Sequence, residues 1–191
     1  MNTESAPRSK RPYDTSELRS APSLVLVNTG HGKGKSTAAF GTVLRAVARG
    51  WPVAVVQFLK SGNWNTGEEK VCREIGVQWF SAGDGFTWES DNLDETQAKA
   101  VAAWEFSAQL IAAGSHRLVV LDEISYPMTW DWIDAADVAA ALTARPEQVS
   151  VILTGRDMAD EVVEVADTVT EMIKVKHAFD RQIRAKKGLD Y

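Results

Sequence analysis

The chain has one cysteine, Cys72, among 191 residues. That excludes an internal disulfide, and the lack of any CxxC or HExxH spacing argues against a thiolate-bound or helical zinc site. Its three histidines, His31, His116 and His177, are scattered, so any metal is expected to be hard and held by oxygen. No apolar run approaches the roughly 20 residues of a membrane helix, and the N-terminus lacks the basic, then apolar, then small-residue order of a leader. The expectation is a cytoplasmic protein with no membrane contact. Positive charge is also scarce. The net charge is −5, and clustered basic residues are confined to "RSKR" near the N-terminus and "RAKK" near the C-terminus, so nucleic acid is not an expected partner.

The content of 45% hydrophobic residues in 191 positions suits one domain with a substantial core. Residues 1–22 carry three prolines and little apolar periodicity, and are expected to form a mobile tail or lid. The folded domain is placed at residues 23–191. There, β-rich runs alternate with helical segments: "SLVLVN", a helix from Lys35 to about Arg49, "VAVVQFL", "EEKVCREIG" as a short helix, and "VQWF". A long helix from about Leu93 to Ala113, "RLVVLD", the helix "AADVAAALTAR", "VSVILTG", a helix near 158–166 and "TVTEMIKV" complete the series. This alternation predicts an α/β fold: a doubly wound, mostly parallel sheet of about five or six strands flanked by helices.

The first strand runs into "NTGHGKGKST", residues 28–37. The phosphate-loop pattern G-x-x-x-x-G-K-[ST] requires glycine where this chain has Thr29, and the glycine comes one residue late as Gly30. Gly30, Gly32 and Gly34 alternate with His31 and Lys33, so successive backbone N–H groups could form an anion nest at the start of the following helix. Lys35 is then placed to reach a phosphate oxygen, and Ser36 or Thr37 to ligate magnesium or manganese. A second signal is "RLVVLDEISY", which supplies Asp122 and Glu123 at the end of a buried strand, where such loops need an acid to organise a metal. Which of the two ligates metal is left open by the sequence.

Three reactions remain compatible with these features: phosphoryl transfer or ATP hydrolysis, nucleotide binding without chemistry, and transfer at ribose C5′ with the whole triphosphate as leaving group. A guanine switch is excluded by the lack of an N-K-x-D. "GDGFTWES" places Phe86 and Trp88 in a glycine- and acid-rich loop after a strand, where large rings either fold back on the core or cover something apolar.

Taken in order, "NTGHGKGKSTAAFGTVLRAV", "VVQFLKSG", "GDGFTW", "VVLDEISY", "VILTGRD" and "VKHAFDRQIRAKKGLDY" resemble the P-loop ATP:corrinoid adenosyltransferases, from about Leu24 to Tyr191. Thr29 belongs to that family's own form of the loop. The resemblance implies that ATP lies along the loop in the reverse sense, with C5′ turned toward a corrinoid, cob(II)/cob(I)alamin or a cobalamin precursor. It further implies a homodimer, a flavoprotein or other electron donor, and a Phe86–Trp88 pair against the lower face of the corrinoid. Arg45 and Arg156 match family arginines and are candidates for nucleotide or dimer contacts. Pro127, Arg181 and Gln182 depart from the family pattern.

Overall fold

The computed structural model describes residues 18–59, 66–81 and 93–190. Short runs rich in β-branched residues, or in β3 in aromatic ones, become strands β1 (Val25–Thr29), β2 (Val53–Gln57), β3 (Gln78–Ser81), β4 (Leu118–Asp122), β5 (Ser150–Thr154) and β6 (Thr168–Glu171). All neighbours pair in parallel, in the order β3-β2-β4-β5-β1-β6. Every residue of β2, β4 and β5 is buried, which explains their lack of alternation: both faces of the sheet are covered.

The covering helices are α1 (Lys35–Ala48), α2 (Gly67–Glu74), α3 (Leu93–Ala113), α4 (Ser125–Thr129), α5 (Ala135–Thr143) and α6 (Asp160–Val165). On one face, Phe40 and Val43 of α1 and Cys72 of α2 pack with Val53, Val55 and Val120, and Phe40 leans on Trp79 at 5.4 Å between ring centroids. On the other, Trp104 and Ile111 of α3, Val138 of α5 and Val162 of α6 close over Val27, Val119 and Leu153. The helix expected over Leu93–Ala113 is found over those residues.

Two stretches differ from expectation. The run "TVTEMIKV" forms a strand only over Thr168–Glu171, all of it exposed, because β6 is an edge strand with a single partner, β1. The sequence reading gave no helix at α4, which contains Pro127. Proline is tolerated there because it sits in the first turn, where an N–H has no intrahelical acceptor to lose. The Pro127 carbonyl meanwhile accepts from Trp132 N–H at 2.9 Å and Ile133 N–H at 3.3 Å.

With all strands parallel, the ends of β1, β4 and β5 and of edge strand β6 point the same way. They bring Thr29, Asp122, Thr154 and Glu171 to one rim of the sheet, where α/β proteins bind ligands.

Candidate active site

The loop between β1 and α1 lies on this rim. α2 is capped by Thr66, whose Oγ1 accepts from Glu69 N–H, and α5 by Asp134, whose Oδ1 accepts from Ala136 N–H. By contrast, α1 starts at Gly34 with no side-chain cap and no acid in its first turn. A helix start left without a side-chain cap or an acid is one that an external anion could satisfy.

The position of the glycines has a physical cause. The backbone after β6 crosses the loop: Met172 N–H donates to Thr29 O at 2.8 Å, and Met172 O accepts from Gly32 N–H. A Cβ on Gly30 or on Gly32 would stand 2.6 Å from Met172 O, a contact with main chain that cannot swing aside. Gly30 and Gly32 thus admit the C-terminal segment. Thr29 is also used, because its Oγ1 accepts from Met158 N–H at 3.3 Å and so ties the turn after β5 to the end of β1.

Lys35 folds back over the loop, where Nζ donates to Gly30 O at 2.7 Å and to Gly32 O at 2.8 Å. Burial first, and Arg156 second, hold it below the ordinary lysine value, against the opposing pull of Glu123, Asp122 and Asp157. The two acids after β4 differ sharply. Asp122 is fully buried, and both its oxygens are engaged: Oδ2 accepts from Gln57 Nε2 at 3.1 Å and Oδ1 from Thr154 Oγ1 at 2.7 Å. Thr154 Oγ1 accepts in turn from Glu123 N–H at 2.9 Å. Glu123 is partly exposed and takes φ 65, a left-handed conformation costing a non-glycine residue roughly 1–2 kcal/mol.

Lys35, Arg156, His31 and Lys33 line a pocket of about 490 Å³, with Lys174 and His177 of the C-terminal segment. His31 pairs with Asp157 at 3.1 Å and Lys33 with Asp190 at 2.8 Å. The site is thus a largely cationic pocket beside a glycine loop, with Asp180 among its lining residues and Asp157 and Asp190 paired to two of its cations.

The family model for the ATP:corrinoid adenosyltransferases BtuR/CobO/CobP matches residues 22–191. The chain belongs to this family. Among its relatives, the corrinoid adenosyltransferase CobA of Salmonella typhimurium is 43% identical over 88% of this chain and 85% of its own. The corrinoid adenosyltransferase of Pseudomonas aeruginosa is 44% identical over 92% of this chain and 87% of its own. In fold, the chain is similar to a KaiC-like protein of Pyrococcus horikoshii, with TM-score 0.51 and 17% identity over 83% of this chain and 76% of that one.

For this adenosyltransferase-family chain, the residues expected from sequence are arranged as follows. Thr29 ends β1, residues 30–34 form the loop and residues 35–37 open α1, with Ser36 partly buried and Thr37 exposed. Arg156 joins the pocket. Arg45 is exposed near the end of α1, about 15 Å along the helix from Lys35 at 1.5 Å per residue, and is not brought to the loop of its own chain. Phe86 and Trp88 lie outside the described residues. Sequence reasoning missed Gln57 and Thr154 as the partners of Asp122, and Lys174, His177 and Asp180 as pocket residues. "KVKHAFD" was the available signal, since a lysine and a histidine three residues apart suit an anion pocket.

Among the described residues no group of three or more His, Cys, Asp or Glu could hold a metal. What the rim offers is the hydroxyl of Ser36 and the carboxylate of Glu123.

Proposed function

We propose that this chain transfers the 5′-deoxyadenosyl group of ATP to the cobalt of a reduced corrinoid and releases tripolyphosphate. The observation that carries the reading is the convergence of Lys35, Arg156, Lys174 and His177 on one pocket over the uncapped start of α1, a site suited to a highly charged leaving group. The cobalt electron pair forms the Co–C bond, the C5′–O bond breaks, and its electrons leave with the triphosphate. Cob(I)alamin is made nucleophilic by reduction, so the protein has no proton to remove from it. What the protein supplies is alignment and stabilisation of the charge developing on the departing oxygen.

Lys35 and the N–H groups at the start of α1 hold the triphosphate, while the Gly32 N–H stays on Met172 O and Thr29, Gly30, Gly32 and Gly34 give the loop its path. Ser36 and Glu123 hold magnesium or manganese, which would neutralise part of the phosphate charge, and Asp122 keeps the rim in shape. Phe86 and Trp88 fill the lower face of the corrinoid, where apolar bulk disfavours an axial ligand and eases reduction of cob(II)alamin by a flavoprotein or other donor. Residues 23–191 act as one domain in a cytoplasmic homodimer. Supporting the dimer are the exposed edge strand β6 with its Val169 and the apolar residues that follow it, Ile173 and Val175, the last 92% exposed. No helix among the described residues is long and apolar enough to cross a membrane.

The test is incubation with ATP, magnesium and a chemically reduced corrinoid. Expected products are a light-sensitive adenosylated corrinoid and tripolyphosphate in equal amounts. Lys35→Ala is expected to slow the reaction about 10²–10³-fold, as loss of a preorganised charged donor does. Stoichiometric ADP would instead identify phosphoryl transfer.

A further inference from the structure

We propose that the segment after β6 supplies the distal wall of the triphosphate site, with Lys174 and His177 as binding side chains and Asp180 as the carboxylate that Lys174 gives up for a phosphate oxygen. This inference rests on the adenosyl-transfer reading above. In that reaction the entire triphosphate departs, so all three phosphates need protein partners once the ribose has gone. Lys35 and the N–H groups at the start of α1 serve the phosphates seated there. Lys174, His177, Phe179 and Asp180 of the C-terminal segment line the same pocket.

That segment is the basic part of an acidic chain: residues 174–190 contain six lysines and arginines against two aspartates, in a protein of net charge −5. Its backbone is joined to the loop through Met172, which bonds both Thr29 and Gly32. Lys174 follows two residues later. Its Nζ lies 3.0 Å from Asp180 Oδ1, and both side chains are nearly half exposed, at 46% and 47%. A screened pair of this kind is weak, so exchanging the carboxylate for a phosphate oxygen costs little. Meanwhile Asp180 holds the ammonium at the pocket wall.

His177 is oriented by a different bond. Its Nδ1 accepts from Phe179 N–H at 3.1 Å and so caps the 3₁₀ turn Ala178–Arg181. With Nδ1 accepting, the ring proton sits on Nε2 even when the imidazole is neutral. The ring therefore offers the pocket a donor, which suits phosphate oxygens.

The experiment is calorimetric titration of the full chain, in magnesium buffer, with inorganic tripolyphosphate and with diphosphate. Lys174→Gln is expected to weaken tripolyphosphate about tenfold, as for a charged hydrogen bond at a partly exposed site, and to weaken diphosphate much less. Asp180→Asn, which frees Lys174, is expected to tighten tripolyphosphate. His177→Asn keeps a cap acceptor, and its shorter amide has no donor at the Nε2 position, so it is expected to weaken tripolyphosphate severalfold. If Lys174→Gln and Asp180→Asn both weaken binding, their pair is only a strut for the turn and the inference fails. Equal losses for the two anions would also overturn the distal assignment. A wild-type protein that binds diphosphate as tightly as tripolyphosphate counts against adenosyl transfer itself, whereas a wild-type preference unchanged in Lys174→Gln sinks this inference alone.

Discussion

Replacing Asp122 and Glu123 in turn separates holding the fold from holding the metal. In Asp122→Ala, the Gln57 amide, 1% exposed, and the Thr154 hydroxyl, fully buried, both lose their acceptor. Leaving a buried polar group unpaired costs about 1–3 kcal/mol, so two such groups and a small cavity amount to roughly 3–5 kcal/mol of stability. Asp122→Asn keeps the volume and one acceptor oxygen, and Gln57 needs only to turn its amide over to accept from the new NH₂. The expected cost falls to about 1 kcal/mol. Glu123→Gln, a near-isosteric change at the partly exposed neighbour, is expected to cost less stability than Asp122→Ala while raising the magnesium concentration needed for half-maximal activity severalfold. Urea unfolding midpoints and magnesium titrations of adenosylation measure the two effects independently. The reasoning is refuted if Asp122→Ala unfolds within 1 kcal/mol of wild type, or if Asp122→Asn shifts the magnesium requirement more than Glu123→Gln does.

Gly32→Ala places a methyl 2.6 Å from Met172 O and 2.8 Å from Met172 C, so the loop and the C-terminal segment must part; ATP binding should fall with stability, and a variant that binds ATP normally would disprove the contact. His116 is buried between Ser115 and Gln78, and burial holds it below its ordinary value of 6.5. Because the unfolded chain protonates first, stability should be full above pH 6.5 and fall as pH drops below it, by at most about 1.4 kcal/mol per unit. His116→Gln should remove that component from urea titrations across the pH range, and an identical pH profile in the variant would contradict it. Phe86→Ala should leave alkylation of chemically reduced cob(I)alamin largely intact and sharply slow adenosylation that begins from cob(II)alamin with a weak reductant; equal losses in both assays would make Phe86 a general packing residue.

Local chemistry made much of this protein readable from sequence. A strand, a glycine loop and Gly-Lys-Ser are contiguous because a phosphate is bound by successive backbone N–H groups, so "NTGHGKGKST" carried its meaning within ten residues. The buried strands declared themselves because a sheet covered on both faces needs apolar residues at every position, and the order of motifs indicated the family. What the sequence left open was decided by residues distant in the chain. Asp122 is the buried, structural acid because Gln57 and Thr154, 65 and 32 residues away, converge on it, and nothing in "LDEIS" records that. Gly30 and Gly32 are glycines because Met172, more than a hundred residues later, passes over them at main-chain contact distance. That same crossing brings Lys174 and His177 to the pocket of Lys35. Periodicity and motif spacing report what a segment does along itself, whereas which segment returns to which rim depends on strand order, and only the assembled sheet determines that.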